Sequence, residues 1–159
     1  IETLNKKTEV LNTWFIGNTT HVADLAFFLG GKPTELSSYT SGTLAWHPKS
    51  SIFSGAGVTE SGALFNYGAD WESAGRWSVE MLTKEYRYIF RPMETLQIQK
   101  RGTVQICTVE VDDELDKKYK PGLYLQVKAF LTNDPDKLCS IDEQLTLFPV
   151  YEKMASYSS

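Results

Sequence analysis

Between Gly17 and Gly31 the apolar positions recur with the period of a helix. Val22, Leu25, Ala26 and Leu29 fall at i, i+3, i+4 and i+7, which predicts a helix to about Leu29 with that stripe turned to a core. Asn18 or Thr19 can accept from the free N–H groups at its start, and Gly30-Gly31 followed by Pro33 ends it. His21 and Asp24 lie three positions apart on a second face. Ahead of this helix, Val10 to Ile16 reads as a strand.

From Thr34 to about Val111 the period changes to alternation. Thr34 to Thr40, Ala63 to Tyr67, Trp77 to Leu82 and Leu96 to Gln99 each place successive residues on opposite faces, as strands do. The connectors Glu60-Ser61-Gly62, Lys84-Glu85-Tyr86 and Lys100-Arg101-Gly102 are short and polar, so hairpins and a mostly antiparallel sheet are expected. Such a sheet can leave one face uncovered.

Asp112 to Lys120 is densely charged and reads as a loop. Pro121-Gly122 then opens a helix whose Leu123, Val127, Phe130 and Leu131 form an apolar stripe expected to pack on the sheet. Asn133 to Asp136 is a turn cluster. Ser140 and Glu143 have the spacing of a capping box, opening a final helix through about Met154 with Pro149 as an expected kink. Ser156 to Ser159 reads as a frayed end. The fold class is α+β: an open, mostly antiparallel sheet with helices on one face.

With 159 residues, 42% of them hydrophobic and 13% aromatic, the chain can bury a core of its own, and one domain over residues 1–159 is expected. Sixteen basic against twenty acidic side chains leave a net charge of -4. That balance, with no basic patch in the sequence, argues against a nucleic-acid partner held by phosphate neutralisation. No apolar run reaches the ~20 residues of a membrane span, and no charged-then-apolar leader opens the chain. Cys107 and Cys139 lack CxxC spacing, and Cys107 sits in an apolar run where a thiol serves as a small core residue. No membrane partner and a reduced, cytoplasmic setting are therefore expected.

His21 carries the most specific candidate chemistry. An imidazole gives or takes a proton near neutral pH, and this one opens a helix. The other histidine lies in Trp46-His47-Pro48, which reads as a loop. Asp70, Trp71, Arg76 and Trp77 combine charge, donors and aromatic surface, as a carbohydrate site would, or equally as sheet core or an interface would. Tyr124 and Lys128 share a helical face that could reach a pocket. Asp112-Asp113-Glu114 lacks the regular spacing of a metal site. Gly55-Ala56-Gly57 is a lone GxG between strands, with no helix after it to complete a phosphate-binding turn.

Thr20-His21-Val22-Ala23-Asp24-Leu25-Ala26, followed by Leu29-Gly30-Gly31-Lys32-Pro33, resembles the H-x-x-D-L and L-x-G-x-P stretch that opens the C-terminal half of Gfo/Idh/MocA family oxidoreductases. Gly57 to Leu64, Ala69 to Trp77 and Pro121 to Phe130 extend the likeness toward a sugar-oxidoreductase branch. The resemblance implies a dihydrodipicolinate reductase-like C-terminal domain with an open antiparallel sheet, often oligomeric through the open face. It makes His21 the group that exchanges a proton with a substrate hydroxyl. Asn18 and Asp24 would orient it or the substrate, and Trp71, Arg76 and Tyr124 would contact a carbohydrate-like molecule. The family commonly places an aspartate four residues before this histidine, where this chain has Gly17.

The family's Rossmann domain, with its Gly-rich turn and E-K-P motif, is not in these residues. NAD or NADP is therefore expected only in a full-length enzyme, and this chain alone should neither bind it well nor turn over. The alternative reading is a non-catalytic carbohydrate-binding or dimerisation module that keeps the fold.

Overall fold

In the computed structural model, which describes residues 7–157, helices and antiparallel strands combine in an α+β fold. The order is α1 (Thr8–Asn12), a π-helical turn (Phe15–Thr19), α2 (Thr20–Gly30), β1 (Pro33–Ser41), β2 (Ile52–Thr59), β3 (Leu64–Asp70), β4 (Val79–Leu82), β5 (Tyr86–Phe90), β6 (Leu96–Lys100), β7 (Ile106–Thr108), α3 (Glu114–Lys118), α4 (Leu123–Leu131), a 3-10 turn (Pro135–Lys137) and α5 (Ile141–Ala155). The strands form two open antiparallel sheets, β1-β2-β3 and β4-β5-β6-β7. The chain divides into two compact units. One runs up to Arg76 and resumes at Leu147; the other is Trp77–Thr146.

In the first unit one face of β1-β2-β3 carries the core. Register aligns Leu36, Gly57 and Phe65 in one row, and Ser38, Gly55 and Tyr67 in the next. A Cβ at Gly55 would run into the Tyr67 ring and the Ser37 carbonyl, and one at Gly57 into the Phe65 ring and the Glu35 carbonyl. The glycines of the GxG thus let two large rings lie across the central strand, and they form no phosphate loop. Helix α2 packs on this face through Phe27, whose ring meets Phe65 at 5.4 Å. The end of α5 does the same: the Tyr67 hydroxyl donates to the Met154 carbonyl at 3.1 Å and the Ser38 hydroxyl to the Lys153 carbonyl at 2.7 Å. On the opposite face, Tyr39 and Leu64 are exposed.

Several local expectations are corrected. Val10 to Ile16 is helix and π-turn, not strand, because Phe15 is drawn into the core against Phe53 at 4.8 Å. The buried face of α2 is Ala23 and Phe27, in line with Thr19 at the end of the π-turn, not the stripe of Val22, Leu25, Ala26 and Leu29, because the Phe27 ring is the one that reaches Phe65 on the sheet. No side-chain cap opens α2, since the π-turn feeds directly into it. Of the stretch read as a frayed end, 158 and 159 lie outside the described residues, while Tyr157 is tied into the core by hydrogen bonds.

The second unit has a thin core. Val79, Ile89 and Ala129 are its buried apolar side chains among the described residues. The charged stretch 112–120 contains α3 and is not a continuous loop; Asp112 Oδ1 accepts from the Glu114 N–H at 3.2 Å to start it. The α4 stripe is not buried on a sheet. Phe130 and Leu131 are 74% and 75% exposed, and Ala129 is the buried residue of that helix. Cys107 is exposed in β7 and not a core thiol, and Cys139 is exposed as well. The capping box forms as expected: the Ser140 N–H donates to Glu143 at 2.9 Å, and the Glu143 N–H to the Ser140 hydroxyl at 3.1 Å. Pro149 lies inside α5 without ending it.

Candidate functional site

The residues from Asn18 to Asp24 sit where a π-turn runs into an α-helix. In that turn the Gly17 N–H reaches the Thr13 carbonyl at 3.3 Å, and the Thr20 hydroxyl donates to the Ile16 carbonyl at 2.6 Å. Such one-turn widenings occur frequently at functional sites. Asn18 is half-buried within the turn, and His21 is exposed on the first turn of α2. Asp24, one turn further, accepts a hydrogen bond from the Tyr151 hydroxyl at 2.8 Å. Tyr151 is 1% exposed and belongs to α5, so a core side chain holds the Asp24 carboxylate three positions on from His21. Gly17 is exposed, with nothing within 4 Å of a Cβ placed on it.

Trp71 lies elsewhere in the same unit, just after β3. Its ring stacks on Trp46 at 5.5 Å, meets Phe53 at 4.7 Å and packs edge-on against His47 at 5.0 Å. Much of its surface is therefore used within the protein. Arg76 is exposed at the end of this unit. Tyr124 belongs to the second unit, where it stacks on Tyr119 at 4.9 Å and lines a shallow apolar groove of about 430 Å³ with Leu123, Val127 and Lys128.

The loop reading of Trp46-His47-Pro48 did not anticipate that His47 is buried. It is 0% exposed, in the connection between β1 and β2. Nδ1 lies 2.6 Å from the Ser50 carbonyl, which can only accept, so Nδ1 carries the proton. Nε2 lies 2.7 Å from the Tyr157 hydroxyl, whose oxygen accepts from the Phe15 N–H at 3.1 Å. Burial raises the Tyr157 phenol to about 12, against the opposing hydrogen bond from Phe15, and raises Tyr67 to about 12 as well. The His47 ring is enclosed by the protein and hydrogen-bonded at both nitrogens, as buried polar groups are. The signal in the sequence is its neighbour Trp46, an aromatic residue inside what otherwise reads as a turn.

Near the same connection, the buried Ser51 hydroxyl donates to the Glu72 carboxylate at 2.6 Å. Asp70 accepts from the Ser73 hydroxyl and the Glu72 N–H, and these bonds hold its carboxyl below the usual range. Among the described residues no group of histidine, cysteine and carboxylate side chains could hold a metal ion, and no helix is long and apolar enough to cross a membrane. Gly55 and Gly57 lie within β2 against the Tyr67 and Phe65 rings, so this GxG is strand and not a glycine-rich turn. Comparison with family models, with curated proteins and with solved structures finds no match to this chain.

Proposed function

We propose that the chain is the substrate-side, C-terminal part of an NAD(P)-dependent oxidoreductase of the Gfo/Idh/MocA type, acting on a hydroxyl of a sugar, sugar nucleotide or polyol. The observation that carries this reading is the arrangement of His21 and Asp24. An exposed imidazole opens α2 directly after a π-turn, and the carboxylate one turn on is held by the buried Tyr151.

Oxidising an alcohol requires a base at the departing hydroxyl proton, and an exposed imidazole on a rigid helix can be that base. Asn18, a donor and acceptor in the π-turn, and Asp24 orient the substrate or the ring. Trp71 and Arg76, which belong to the same unit as His21, are further contacts in this reading. In this reading the NAD or NADP is bound by a separate Rossmann domain of the intact enzyme. The open face of β1-β2-β3, with Tyr39 and Leu64 exposed, supports a homo-oligomer through that face. A cytoplasmic location and a carbohydrate-like small-molecule partner, with no nucleic-acid or membrane partner, complete the reading.

The test is turnover of the full-length protein with NAD+ or NADP+ against a panel of sugars and polyols, comparing wild type with His21→Ala. Loss of about two or more orders of magnitude in kcat is expected for an absent general base, with little change in thermal stability because the side chain is exposed. Undiminished turnover in the variant overturns the assignment of His21.

A further inference from the structure

The two hairpin turns of the four-stranded sheet meet at one edge. Tyr86 pairs with Lys100, and Arg87 pairs with both Leu82 and Gln99, so the β4–β5 turn lies beside the β6–β7 turn. The Arg101 N–H donates to the Glu85 carbonyl at 2.7 Å and ties them together. The Thr83 hydroxyl donates to the Tyr86 carbonyl at 2.9 Å, and the Thr103 hydroxyl to the Lys100 carbonyl at 2.8 Å, which stiffens each turn.

The concavity at this edge has a volume of about 390 Å³ and is lined by Lys84, Arg87, Lys100 and Arg101 against one acid, Glu85. Arg87 is committed to Glu80. Lys84, Lys100 and Arg101 form no ion pair among the described residues. Like charges crowded onto tied turns repel one another, and an anion between them relieves that repulsion.

We propose that this edge is a binding site for a small ligand carrying a phosphate group. Lysines supply point charges and Arg101 a planar fork, the combination that suits phosphate oxygens. The turns are already tied, so the backbone needs little ordering on binding. The ligand is small because the concavity is of small-molecule size and the chain as a whole carries a net charge of -4, which repels an extended polyanion. This site is independent of the His21 chemistry and stands or falls without it.

The experiment is a titration of the isotope-labelled chain with inorganic pyrophosphate, following backbone amide shifts, with sodium chloride of equal ionic strength as control. Saturable shifts confined to residues 83–86 and 99–103 are expected. Binding should weaken about tenfold or more in Lys100→Gln/Arg101→Gln, as loss of charge-assisted bonds requires, and recover in Lys100→Arg/Arg101→Lys. Unchanged amide shifts elsewhere in the variants establish that the fold is intact. Shifts spread over the whole surface, absent at millimolar pyrophosphate, or indifferent to the charge removal overturn the site. Co-sedimentation with phosphatidylserine vesicles without a response to pyrophosphate overturns the small-ligand assignment and puts the anion on a membrane.

Discussion

His47 Nε2 and the Tyr157 hydroxyl stand 2.7 Å apart, joining residues 110 positions apart in the chain. The bond closes one end of the first unit, because Tyr157 also accepts from the Phe15 N–H and its ring carries Lys49 Nζ at 5.0 Å. Tyr157→Phe strips the partner from a buried ring nitrogen and a buried N–H together. A loss of about 1–3 kcal/mol in urea unfolding is expected. The double variant with His47→Leu should lose less than the sum of the single variants, since both remove the same bond. Full additivity in that cycle would show that the bond contributes nothing.

Gly55 and Gly68 belong to the same sheet but face different surroundings. A methyl at Gly55 meets the Tyr67 ring and the Ser37 carbonyl, while nothing lies within 4 Å of one at Gly68. Gly55→Ala should destabilise by about 1–3 kcal/mol or more as the ring is forced off the strand. Gly68→Ala should stay within about 0.5 kcal/mol of wild type. Equal melting temperatures for the two variants would contradict the ring-over-glycine packing.

Alkaline pH should weaken the first unit. The Tyr67 and Tyr157 phenols are raised by burial from 10.0 to about 12. A group whose pKa is raised in the folded state binds its proton more tightly there than in the unfolded chain. Its contribution is therefore complete below pH 10 and is lost as pH rises toward 12. Melting temperature measured across that window should fall, and less so in the Tyr67→Phe/Tyr157→Phe variant. Tyrosinate absorbance should show the Tyr67 and Tyr157 phenols titrating late, and Tyr67→Phe/Tyr157→Phe should remove that late phase. A late phase unchanged by those two substitutions would show that burial does not raise these phenols.

Local patterns were legible wherever the controlling contacts are local. The capping box at Ser140 and Glu143 formed because its partners are three residues apart. The hairpins after β2 and β4 formed at the predicted connectors because turn chemistry and alternation act over a few residues. The strand expected over Val10 to Ile16 failed for a complementary reason. Its apolar run suits either period, and the helical one prevailed where Phe15 reached Phe53, a partner 38 positions away.

The candidate site was half legible. His21 and Asp24 share a stretch of sequence, and their spacing on a helix follows from it. Tyr151, which holds Asp24, lies 127 positions away, and nothing in the spacing points to it. The basic edge is likewise invisible along the chain: Lys84 and the pair Lys100-Arg101 are separated by a whole hairpin, and only strand register brings them together.

By itself, the sequence determined an α+β chain of hairpins and short amphipathic helices, with an imidazole placed near a helix start. Those properties follow from periodicity, turn residues and capping, each written within a few positions. Tertiary structure alone decided that the strands divide between two sheets, which face of α2 is buried, and that the histidine in the loop is the buried one while His21 is exposed. Burial depends on partners brought from remote positions, such as Tyr157 against His47, and a one-residue rotation of a helix or slip of a strand exchanges inside for outside.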